Sequence, residues 1–194
     1  MTTDNDLNLT PLDMRQSSSL TGMSHAGAGD LSASISTDER DAEDLNGDAI
    51  DTLNHLLECC RDGEYGFREC AAHTKAPDIK VVLGRRAGDC NSAAAELQQL
   101  ILEMGGEPEE GGTVGEALHR GWVSVKGTLG GYSDYDMLDE CERAEDVALG
   151  QYRKALKQSL PPHARAVVER QAAGVQVNHD QIKALRDANK AIAE

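Results

Sequence analysis

The stretch CRDGEYGFREC, Cys60 to Cys70, sits inside a run whose apolar residues recur at alternating gaps of three and four. Read outward, the stripe is Ile50, Leu53, Leu57, Cys60, Glu64, Phe67 and Ala71. That spacing belongs to one face of a helix packed against a neighbour. Glu64 then falls where a core side chain is expected. A carboxylate taken out of water needs a partner, so the reading predicts polar company for Glu64 inside the fold.

The composition narrows what that fold can be. Among 194 residues only 3% are aromatic, with one Trp and one Phe, so the core must be built from Leu, Val, Ile, Ala and Cys. Such a chain favours closely packed helices over sheets. A formal net charge of -15 argues against nucleic acid and against anionic membrane surfaces, both of which select for a Lys and Arg surplus. The start, MTTDNDLNLT, has no basic residues leading into an apolar stretch, so no secretory signal is expected. No segment approaches the roughly 18 apolar residues that span a bilayer. Cys59, Cys60, Cys70, Cys90 and Cys141 show no CxxC spacing. Reduced thiols and a cytoplasmic location are the expectation.

Residues 1–46 carry nine acids against Arg15 and Arg40, a net of -7, and no sustained apolar period. They are expected to form a disordered acidic tail rich in Ser and Gly. A domain over 47–194 follows, with four long helical patterns. The first runs from near Asp48 to Thr74 and the second from Asp78 to Met104, closed by GGEPEEGG. Thr113 and Glu116 form a capping box that opens a short helix, and Ser133 is the N-cap of the third long helix. Pro161-Pro162 separates the third from the fourth. Nothing alternates with period two, so the fold is all-α.

Short links make the first and second helices one antiparallel hairpin, and the third and fourth another. The long link between the second and third can travel the length of the bundle. Two antiparallel hairpins joined by a long crossover containing a short helix are the topology of a ferritin-like four-helix bundle. At 1.5 Å per residue, Glu64 lies level with Asp89 and Cys90, with Glu145, and with Asn178 and His179. Two seam carboxylates, Glu64 and Glu145, are thus expected to meet at mid-height.

LLECCRDGEYGFRECA, RRAGDCNSAAAELQQLILEMGG, GEALHRGWVSVKGTL and DECERAEDVALGQYRKAL resemble an uncharacterised bacterial family of ferritin-like bundle proteins. The resemblance covers roughly residues 47 to 188. It implies the fold, distantly similar to rubrerythrin and bacterioferritin, and no established activity.

A di-iron bundle takes one Glu from each of two helices and a Glu-x-x-His from each of the other two. Here Glu64, Glu142, Glu145 and His179 are the candidate ligands for iron or manganese. Neither the second nor the fourth helix contains Glu-x-x-His. A homodimer could supply the missing carboxylates across a two-fold axis, giving a degenerate metal-binding protein or di-metal oxidase. The competing reading is a structural network of Glu64, Arg86, Glu145, Gln171 and Asn178, in which a seam guanidinium already supplies the positive charge. It makes the chain a non-catalytic bundle protein, stress-related and able to self-associate. A third reading gives the acidic tail a basic partner. Seam cysteines are expected to pack as small hydrophobes, and no nucleophile triad or phosphate loop is present.

Overall fold

The computed structural model describes residues 31–110 and 133–193, with side chains over 43–110 and 133–190. They form four α-helices: α1 (Leu31–His73), α2 (Pro77–Glu103), α3 (Asp134–Ala155) and α4 (Pro162–Ala193). There is no strand among the described residues. The fold is an all-α four-helix bundle. The expected crossover helix over Thr113–Leu129 lies outside the described residues.

α1 begins at Leu31, well before the expected Asp48. Gly47 is the one weak position behind the packed part, and from Leu31 to Asn46 there is no further Gly or Pro to stop the helix propagating backward. Among the residues whose side chains are described, the first in the core is Ala49. Of the expected tail, residues 1–30 lie outside the described residues.

α1 packs on α2 and α3, and α4 packs on α3 and α2, which leaves α2 and α3 on one diagonal. Pairings between neighbours run in opposite chain directions. The α1/α3 wall joins Cys60 to Tyr152 and, at its end, Thr74 to Asp134. The α2/α4 wall joins Arg85 to Gln181 and Glu96 to Arg170. α2 and α3 are therefore parallel, as a returning crossover requires.

The helix ends follow from local chemistry. Ser133 caps α3 in a reciprocal box: its hydroxyl accepts from the Asp136 N–H at 3.2 Å, and its own N–H donates to Asp136 Oδ2 at 3.0 Å. These bonds hold the Asp136 carboxyl below its usual range. Ser133→Ala is expected to cost about 1 kcal/mol and to lower Tm by about 2–4 °C, measurable by thermal unfolding. An unchanged Tm would mean that the α3 terminus holds without its cap.

At the C-terminus of α2, Gly105 adopts φ 80°, and Gly106 N–H returns to Ile101 O at 2.9 Å. A Cβ on Gly106 would meet Ile50 Cγ2 at 2.7 Å, so the second glycine is required by space. Beyond it the chain runs over α1. Asn46 donates to Met104 O at 3.1 Å and Asn54 donates to Glu107 O at 3.1 Å. Asn54 also accepts from Glu109 N–H at 2.9 Å, and Arg61 donates to Glu109 O.

Two apolar clusters divide the bundle along its length. One gathers Ala49 to Cys60 with Leu97, Ile101, Tyr152 and Val168. The other gathers Phe67 to Ala71 with Ile79, Leu83, Leu138 and Ile182. Buried Arg86 and Glu145 interrupt the apolar packing between them.

Candidate functional site

The buried face of α1 keeps Leu53, Leu57, Cys60, Phe67 and Ala71 of the expected stripe and departs from it at Ile50 and Glu64. Ala49, Leu53, Leu56, Cys60, Gly63, Phe67 and Cys70 are buried, and Glu64 is only half-buried. At the level expected for a carboxylate, α1 presents Gly63, whose built Cβ would lie 3.0 Å from Cys90 Sγ. The missing side chain lets α2 approach. Glu64 instead pairs with Arg68 one turn along its own helix, an exposed contact, and is not a partner of Arg86. The spacing marks Glu64 as a core position, and Gly63 beside it takes that place.

The buried charge comes from the diagonal pair. Arg86 reaches from α2 through the interior to Glu145 on α3. Its Nε donates to Oε1 and its Nη2 to Oε2 at 3.0 Å, a bidentate contact. Glu145 is fully buried and Arg86 nearly so. Burial pushes the Glu145 carboxyl above its usual range, and the guanidinium opposes that push. At Arg86 burial pulls the other way, but the hydrogen bonds it donates to Glu145 and the charges around it together raise the guanidinium further. Arginine does not release its proton in proteins, and both Glu145 oxygens accept from it, which is the geometry of an ion pair. Phe67 lies beneath, with its ring centroid 5.3 Å from Arg86 Cζ.

The remaining candidates separate into two places. Gln171 accepts from the Tyr152 hydroxyl at 2.9 Å and donates to Glu96 Oε2 at 2.8 Å and to Ala93 O at 3.3 Å. It joins Asn178, Arg86 and Glu145 around one cavity. Glu142 and His179 belong to the other wall, between α3 and α4. There Glu142 pairs with Arg186, and His179 lies 3.2 Å from Asp146, 3.0 Å from Asp180 and 4.0 Å from Glu142.

Glu64, Glu142, Glu145 and His179 do not converge as the ligands of one ion. Each of the three carboxylates is held by its own arginine. Among the described residues no group of three or more His, Cys, Asp or Glu is placed to hold a metal ion. The donor set therefore does not fit a di-iron or di-manganese centre.

The cavity itself was not expected from the sequence. It measures about 960 Å³ and opens between α2 and α4. Phe67, Cys60 and Cys90 form its floor with the Arg86–Glu145 pair, and Ala93, Ala148 and Gly174 stand along its walls. Burial pushes the Cys59 thiol up to about 12 and raises Cys60 and Cys90 as well, so none is a thiolate at neutral pH. In the sequence, the signal for a void was the coincidence of Gly63, Ala93, Ala148 and Gly174 at similar depth.

A comparison with curated proteins gives no match. A family model described as a domain of unknown function, DUF2383, matches residues 48–158, more than half the chain. The matched span contains α2, α3 and the packed part of α1, and with them the Arg86–Glu145 bridge. The chain belongs to the DUF2383 family.

Proposed function

We propose that this chain is a non-catalytic, ferritin-like helical bundle protein of the cytoplasm, in which the buried polar layer is structural. One observation carries the reading: at mid-height, where a ferritin-like centre would gather carboxylates around a dication, Arg86 already neutralises Glu145. A guanidinium in that position repels a metal ion and occupies both carboxylate oxygens. The antiparallel neighbours and the long link between parallel α2 and α3 support the ferritin-like relation. Five free cysteines, four of them buried, suit a reducing compartment. Among the described residues no helix is long and apolar enough to cross a membrane.

The test is metal content together with ferrous oxidation. Protein purified without chelator is expected to hold well under one iron, manganese or zinc per chain. It should also oxidise added ferrous ion no faster than buffer. Stoichiometric metal, lost in Glu145→Gln, would overturn the proposal and restore the di-metal oxidase.

A further inference from the structure

α2 and α4 are joined at two places, and between them the bundle wall is open. At one end Glu96 pairs with Arg170 and accepts from Gln171. Burial alone would raise the Glu96 carboxyl, but these bonds outweigh it and hold it low. At the other end Arg85 donates to Gln181. Arg85 and Glu96 are separated by about 16 Å of helix at 1.5 Å per residue. The opening leads to the cavity of about 960 Å³, at the upper end of the size of ordinary small-molecule sites. On α1 the chain leaving α2 is held by Asn54 and Arg61, which at 100° per residue lie nearly opposite Cys59 and Gly63. Glu107 and Glu109 of that chain therefore lie on the far side of α1 from the cavity.

We propose that this opening is a binding site for a small, mainly apolar molecule carrying a single anionic group, of the fatty-acid kind. The interior selects for the apolar body. Its thiols are protonated, its one buried cation is neutralised by Glu145, and the floor is formed by Phe67 and sulfur. The anionic end is set by Arg85 at the mouth, whose hydrogen-bond partner is a neutral amide, whereas Arg170 is already paired with Glu96. Asp89 stands one turn from Arg85 on the same wall. Its charge disfavours a dianion such as a phosphate monoester, which is why one carboxylate is the better fit.

Gly174 supplies the clean variant. It lines the cavity, and a Cβ built there meets nothing within 4 Å, so a larger side chain enters open space without a clash. Removing a helical glycine also favours the fold. The probe is 1-anilinonaphthalene-8-sulfonate, an apolar body with one sulfonate, followed by displacement with laurate, dodecanol and dodecyl phosphate on the full chain. One saturable probe site is expected, displaced best by laurate.

Gly174→Leu should weaken probe and laurate binding about tenfold or more. Arg85→Gln should weaken laurate about two- to fivefold and leave dodecanol unchanged. A cooperative urea transition in each variant shows that dye is not reporting a loosened state. Unsaturable dye binding would overturn the proposal. So would affinity unchanged in Gly174→Leu, or dodecyl phosphate binding more tightly than laurate. Sedimentation showing dimers that bind dye only on dissociation would assign the opening to a second copy instead.

Discussion

Glu145→Gln is expected to remove about 3–5 kcal/mol of stability, the cost of leaving an unpaired charge in a buried place. The substitution keeps the shape, deletes the negative charge and replaces one of the two accepting oxygens with a donor. Arg86 cannot respond by losing its proton, so its guanidinium stays charged, buried and half-satisfied. Arg86→Met should be milder because the group left behind can neutralise itself. Burial already raises Glu145, and without Arg86 only the smaller pull of His179 opposes that rise.

The sign of the pH dependence follows. The folded pKa of Glu145 would lie well above its unfolded value of about 4.3. Arg86→Met is then most stable below that value and loses stability as pH rises toward the folded pKa. Glu145→Gln has no such dependence. Arg86→Met with Glu145→Leu should return close to the parent, since two apolar side chains of similar volume incur no desolvation penalty. Urea unfolding at pH 5 and pH 8 reads all three variants. A loss below about 1 kcal/mol in Glu145→Gln, the range of a solvent-exposed pair, would mean that water reaches the bridge.

Particular residues show why part of this was legible in advance. On α3 the stripe Leu138, Cys141, Glu145, Ala148, Tyr152 and Ala155 was read from spacing, and all six are buried. Those positions admit one choice of face. On α1 two stripes share Leu53, Cys60 and Phe67 and differ only at the residues between. One carries Ile50, Leu57 and Glu64; the other carries Ala49, Leu56 and Gly63. Leu56 and Leu57 are both buried, so the choice shows only at Ala49 and Gly63, which are buried where Ile50 and Glu64 are half-buried. Gly63 takes the inner place because its absent side chain admits Cys90.

Depth depends only on helix rise and link length, and Cys90, Glu145 and Asn178, expected at one level, line one cavity. Rotation by one residue depends on how closely a neighbour approaches, and that information is in the neighbour. The same limit hid the cavity. A void is made by side chains that are small on several helices at once, and no single periodicity records it.

Phe67→Ala joins these threads, with an expected loss of about 3–5 kcal/mol. Phe67 is the sole phenylalanine, 2% exposed, and packs in the apolar cluster nearer the α1–α2 turn. Its removal has two costs. The transfer of its apolar surface is lost, and the void left beneath Arg86 adjoins a cavity that already exists, so neighbours have little means of closing it. A further contribution, about 0.5–2 kcal/mol, comes from the guanidinium above the ring.

Phe67→Leu separates the contributions: it keeps most of the volume and loses the ring, so about 1–2 kcal/mol is expected. The two substitutions should also part company against Arg86→Met. Phe67→Leu should cost less in that background, because the cation that rewards a ring is gone, and the difference measures the coupling. Chemical denaturation of the four proteins in the cycle checks this. Equal costs of Phe67→Leu in both backgrounds would leave the ring as apolar volume alone. Phe67→Ala costing less than about 1 kcal/mol would show that the cavity floor is soft enough to collapse, in conflict with a preformed opening between α2 and α4.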